Sequence, residues 1–336
     1  MTCRSRFARR PLALVTLTLV VVAGLATGPT LHAASGKKMA MIFPGSIQDA
    51  DFNTVGYIAL QDVAKTYDLQ VASSESVAVA DAERVSREYI SAGYDIVAYH
   101  GGQFPTIARK LAAQFPNVIF IQQTSGAVAD APANVWTLGR KWYQGYYALG
   151  ALGALSTRTN KIGFVGGVRI PDVVSSINAV HQALRDHNPK AQLIWNNTGD
   201  FNDGVKARQT AEAQIAAGVD FIITFVNLGV YGVAEAAKAS PKPVLLTTFM
   251  TDKWDVAPKH FAGSLLATFS TPYQEIVGRI LKGEKSGYYE MRPGSGMELS
   301  ELRNVPPEAA ARARAIFKEV AAGKPVPEIT DKVPTP

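Results

Sequence analysis

Lys161-Ile162-Gly163-Phe164-Val165-Gly166-Gly167-Val168-Arg169-Ile170-Pro171 reads as a buried strand, a glycine turn and the start of a helix. Lys161 to Val165 is a compact apolar run of strand length. The paired glycines let the backbone turn closely, and proline, with its φ preset and no N–H to lose, suits a first helical position. The same unit recurs on either side. Before it, compact runs at Lys38–Phe43, Leu69–Ala72, Asp95–Tyr99 and Val118–Gln122 are separated by helical patterns near 53–66, 81–91 and 104–114. After it come Gln192–Trp195, Asp220–Phe225 and Pro243–Thr248, with helices near 172–187, 203–217 and 230–239. Strand starts lie 31, 26 and 23 residues apart in the first series and 31, 28 and 23 in the second.

Continuous apolar strands joined by helices imply parallel sheets covered on both faces. The doubled rhythm implies an α/β protein of two doubly wound lobes joined by a hinge. Runs at Asn134–Leu138 and Phe261–Phe269 fall outside both series and are expected where the chain crosses between lobes. The expected boundaries are 35–137 plus about 246–270 for lobe 1, and 138–245 plus about 271–322 for lobe 2. Residues 323–336, with Pro325, Pro327, Pro334 and Pro336, read as a loose tail.

Residues 1–34 read as a secretion signal: Arg4, Arg6, Arg9 and Arg10, then an apolar run from Leu12 to Ala26, then Leu31-His32-Ala33-Ala34 for cleavage after Ala33 or Ala34. At about 15 residues the run is short of the roughly 20 that span a bilayer. Without the leader's four arginines, 30 basic residues face 28 acidic ones, so the formal charge falls from +6 to about +2. A nucleic-acid surface is therefore not expected. The lone cysteine, Cys3, precedes the apolar run, where a lipid anchor would need it to follow. The mature chain, without cysteine, is expected to be free in the periplasm, with no disulfide, thiolate metal ligand or cysteine nucleophile.

In open α/β sheets ligands sit beyond the carboxyl ends of strands, so chemistry is sought just after each run. After the first comes Pro44-Gly45-Ser46-Ile47-Gln48-Asp49-Ala50-Asp51-Phe52-Asn53. Asp49 and Asp51 suit helix capping, whereas Phe52, an aromatic among donors and acceptors, suits stacking on a planar ligand. After the third comes His100-Gly101-Gly102-Gln103, whose glycines allow amides to approach a ligand. His100 has no second histidine or clustered carboxylate beside it, so no metal is expected. Gly167 follows the fifth run. Asn197 and Phe201 lie in the polar loop Asn196–Asp203, and Asn227 and Phe249 follow the last two runs. No phosphate loop, dinucleotide turn, zinc helix or nucleophile elbow occurs. Asp49-Ala50-Asp51 has the spacing of a metal or phosphoryl-transfer pair but stands several residues beyond its strand. A binding protein without catalytic residues, cofactor or metal is the expectation.

At these residues the chain resembles the basic membrane protein family of substrate-binding proteins for ABC transporters, best known from purine-nucleoside receptors. The resemblance covers roughly 38–285. It rests on Gly45–Asn53, which is similar to a D-x-S-F-N element with Asp51 for serine, and on Gly93-Tyr94-Asp95-Ile96-Val97, Lys161–Gly167, Phe201-Asn202-Asp203, and Gly229 with Gly232. It implies a type I periplasmic binding fold in which Phe52 and Phe201, one from each lobe, clamp a planar ligand with Asp49 and Asn53 as polar contacts. It also implies a monomer that serves an inner-membrane permease and its ATPase. The chain departs from the pattern in three places. Gly102 and Thr106 stand where the family has Gly-Phe and an Asp, the ribose-binding Asp is replaced near Phe249, and Ala267-Thr268-Phe269 stands where a lysine is usual. A purine nucleoside or nucleobase is the favoured ligand. The alternatives are a sugar or other non-purine solute, or a secreted sensor or enzyme on the same fold.

Overall fold

The computed structural model describes Met1 and residues 36–334. The leader's charged and apolar segments, Cys3 and the cleavage position lie outside the described residues. Contacts divide the chain into Met1–Ala33 and Ala34–Pro336, and the second unit holds the sheet.

Its strands are β1 (Lys38–Ile42), β2 (Gln70–Ser74), β3 (Ile96–Tyr99), β4 (Ile119–Thr124), β5 (Val135–Arg140), β6 (Lys161–Gly166), β7 (Gln192–Asn197), β8 (Phe221–Phe225), β9 (Leu245–Met250), β10 (Phe261–Ala267), β11 (Gly287–Pro293) and β12 (Gly296–Leu299). Its helices are α1 (Phe52–Tyr67), α2 (Val79–Ser91), α3 (Pro105–Gln114), α4 (Trp142–Ser156), α5 (Pro171–His187), α6 (Gly204–Ala216), α7 (Gly229–Ala239), α8 (Ser270–Leu281) and α9 (Pro307–Ala321). The strand order is β2-β1-β3-β4-β5-β11-β12-β10-β9-β8-β6-β7. Up to β11 every pair is parallel, as are the pairs among β10, β9, β8, β6 and β7. The two halves meet where Arg292 and Pro293 pair with Gly296 and Met297. This is the α/β, doubly wound arrangement in two halves that the alternating pattern predicts.

The strand runs are apolar without alternation because helices cover both faces: all of β3 and β8 is buried. α4, apolar on every side, is buried along most of its length and packs against α5 and α9. It carries the chain from β5 to β6, and α8, packed on α1, brings it back to β11.

The pairing corrects the lobe boundaries. β9 and β10, expected with the first lobe, lie beside β8 in the second half, whereas β11 joins the first half beside β5. α8, expected with the second lobe, packs on α1 in the first. The largest apolar core runs through both halves, from Met39 and Ile121 to Phe164 and Phe221, and the runs that complete each half are chosen by packing across the sheet, which periodicity along the chain does not report. The tail is also corrected: Val326 is buried, Glu328 pairs with Lys141 at 2.7 Å, Asn178 donates to the carbonyls of Ile329 and Lys332, and Trp195 donates to that of Pro334. A proline-rich segment has few N–H groups to offer, but its carbonyls still accept.

Candidate functional site

The carboxyl ends of the strands in both halves face one cavity of about 530 Å³. α1, α3 and α5 begin at its wall, and the residues that start each helix set its chemistry. Asp49 organises the start of α1: its carboxylate accepts from the backbone amides of Asp51 (2.9 Å), Asn53 (3.1 Å) and Thr54 (3.0 Å), and from Asn53 Nδ2 (2.8 Å). This satisfies amides that a helix start otherwise leaves orphaned. Burial pushes the Asp49 carboxyl up, but these amides and Asn227 outweigh it and hold it below the ordinary carboxylate value.

Phe52 and Asn53 then face the cavity from the first half. Phe52 lies on His100, with ring centres 4.2 Å apart, and edge-on to Phe269 at 5.8 Å. His100 is fully buried. Its Nε2–H donates to the Phe52 carbonyl at 2.8 Å, which leaves Nδ1 to accept from Gln123 at 3.0 Å. Burial pushes the imidazole down to about 3, so it is neutral. The histidine is thus a platform for Phe52. Gly101 and Gly102 complete this side of the wall.

From the second half come Phe201, Asn227 and Phe249. The rings form a chain: Phe201 to Phe225 at 6.3 Å, Phe225 to Phe249 at 4.4 Å, and Phe249 to Trp142 at 5.7 Å. Phe52 and Phe201 therefore line one cavity from opposite halves. Three of the ten expected contacts stand off its wall. Asp49 is turned into the α1 start. Gly167 lies beneath Phe201, where a Cβ would come within 2.2 Å of the ring. Asn197, at the end of β7, is also outside the lining.

Contacts between the halves were not legible in the sequence. Asn227 donates across the halves to Asp49 at 3.1 Å and, within its own half, to Asn202 at 3.0 Å. Lys253 Nζ meets Asp51 Oδ1 at 3.2 Å, with both side chains buried. Burial pushes the Asp51 carboxyl up to about 7, against the pull of Lys253. Arg140, at the end of β5, meets Asp172, in the first turn of α5, at 2.8 Å. Burial raises the Asp172 carboxyl and Arg140 opposes the rise. The only available signal was positional, in that both residues stand at ends of elements facing the cleft.

With this geometry in place, comparison with known proteins becomes specific. The family described as PnrA-like ABC transporter substrate-binding proteins, Bmp, matches residues 36–292. The chain belongs to that family. A purine-binding protein of Brucella abortus is 30% identical over 213 residues, a match spanning 61% of this chain and 59% of that protein. An ABC transporter solute-binding protein of Conexibacter woesei superposes with a TM-score of 0.71 at 22% identity, over 87% of this chain and 99% of that one. A solute-binding protein of Aeropyrum pernix superposes equally well, with a TM-score of 0.71 at 17% identity, over 85% and 86%. The fold is the type I periplasmic binding fold. Among the described residues of this family member, no helix is long and apolar enough to cross a membrane.

Proposed function

We propose that this PnrA-like protein captures a small planar polar solute, a purine base or nucleoside, between the two halves of its sheet and delivers it to an inner-membrane permease and its ATPase. The observation that carries the reading is the cavity itself. Phe52 and Phe201 offer ring faces from opposite halves, and Asn53, Asn202 and Asn227 add amides that can donate and accept. The name of the Brucella relative points the same way. Closure by a hinge is favoured when a ligand touches both halves, because only the closed state makes both sets of contacts. The protein binds without turnover, works as a monomer, and reaches the periplasm by way of its leader without a lipid anchor.

The test is mass spectrometry of the solute that co-purifies with protein exported from its native host, followed by calorimetric titration with adenine, hypoxanthine, adenosine, inosine and glucose. A purine in the bound fraction and tight, stoichiometric binding of at least one purine are expected. Glucose binding with no purine response would overturn the ligand assignment. Steady conversion of any bound compound would overturn the non-enzymatic role.

A further inference from the structure

Among the described residues, the cavity wall carries two ionisable side chains, Arg140 and Asp172, and they face each other. Arg140 comes from the first half of the sheet and Asp172 from a helix of the second. Their side chains are 7% and 6% exposed, and one Nη2–Oδ2 bond of 2.8 Å joins them. The pair is not internally complete, since Arg140 Nε and Asp172 Oδ1 are buried without a hydrogen-bond partner. A buried polar atom left unpaired is costly, and a guanidinium has several donors to distribute.

The surroundings reinforce the neutrality of the wall. The amides that begin α1 are already taken by the Asp49 carboxylate. α5 carries Asp172 inside its own first turn, and α3 presents Pro105, which has no N–H. The starts of α1 and α5 therefore already carry a carboxylate, and α3 offers one amide fewer to an anion. The remaining wall is uncharged: aromatic rings, amides, hydroxyls and glycine, with prolines and the aliphatic side chains of Val168, Ile170 and Met250.

Resting on the purine reading above, we propose that Arg140 and Asp172 form a specificity-determining pair. They select an uncharged ligand whose edge sets a hydrogen-bond acceptor beside a donor, and turn away phosphorylated or carboxylated relatives of the same ring. The acceptor of such an edge takes a guanidinium N–H, and its donor serves the carboxylate. An anionic ligand finds no uncompensated cation, and it meets the Asp172 carboxylate at close range in a poorly solvated site.

The test uses two purines matched in shape and differing by one negative charge, the neutral 6-carboxamide and the anionic 6-carboxylate, titrated calorimetrically at neutral pH into the full-length mature protein. At least tenfold tighter binding of the carboxamide is expected. In Asp172→Asn, which keeps the side chain's shape but leaves Arg140 uncompensated, that ratio is expected to shrink at least tenfold. Equal binding of the two ligands by the wild type, or preference for the carboxylate, would overturn the proposal without any variant. An unchanged ratio in a folded Asp172→Asn protein, checked by its melting curve, would also overturn it. If neither purine binds and glucose does, the purine reading fails, and the same charge rule is then decided by glucose against glucuronate.

Discussion

The two sides of the cavity present the same residue type on different supports. In the first half Phe52 rests on His100, a fully buried imidazole fixed by Phe52's own carbonyl and by Gln123, with Tyr273 behind it at 3.3 Å from Nδ1. In the second half Phe201 is half-buried, leans on Phe225 at 6.3 Å and lies over Gly167. Each ring system depends on a missing Cβ: one at Gly56 would come within 2.4 Å of the His100 ring, and one at Gly167 within 2.2 Å of Phe201. The clearances are alike and the consequences are not. His100 is held on all sides and has nowhere to move, whereas Phe201 has the cavity in front of it.

The largest effect that separates the two supports is expected from Gly56→Ala. An extra methyl against an immobile buried ring costs typically about 1–3 kcal/mol, so ligand-free Gly56→Ala should melt several degrees below the wild type, and an unchanged melting temperature would show that His100 is free to yield. Phe52→Ala comes next. It removes a packed ring and a ligand face together, so both the melting temperature and the affinity for the tightest-binding purine should fall, affinity by roughly 2 kcal/mol. Phe201→Ala should weaken binding at least about tenfold with a smaller loss of melting temperature. Unchanged affinity in both would remove the clamp from the mechanism.

Gly167→Ala sharpens the contrast, because Phe201 can swing away from the new methyl. Binding should weaken while the ligand-free melting curve stays close to that of the wild type. A large loss of stability there would make the two sides equivalent after all. A separate, pH-dependent test concerns the buried Asp51–Lys253 contact between the halves. With the Asp51 carboxyl raised from 3.8 to about 7, the folded protein keeps a proton that the unfolded chain has released. That contribution to stability is present below about pH 4 and is lost as pH rises toward 7, with a slope of at most about 1.4 kcal/mol per pH unit. Asp51→Asn should flatten this part of the stability profile in denaturant titrations between pH 4 and 7. A profile that keeps its full slope in the variant would assign the pH dependence to another group.

The alternation of strands and helices was determined by the sequence alone, because apolar run length, helical periodicity, and glycine or proline at the turns are local properties of the chain. Hence β1 to β4 and β6 to β9 stand within two residues of the runs that predict them. α5 begins at Pro171, as the opening stretch requires. Phe52 and Phe201 were legible as cavity residues for the same reason: each follows a strand, and strand ends face the cleft. The tertiary structure alone decided which half of the sheet β9, β10 and β11 complete, since a parallel strand pairs with a neighbour that sequence distance does not name. It also turned Asp49 into the start of α1, placed Gly167 beneath a ring, and brought together Asp51 with Lys253 and Arg140 with Asp172. A charged residue's local pattern is the same whether it is solvated or buried against a partner. The difference arises only when two distant segments exclude water between them, and that exclusion is a property of the packed molecule.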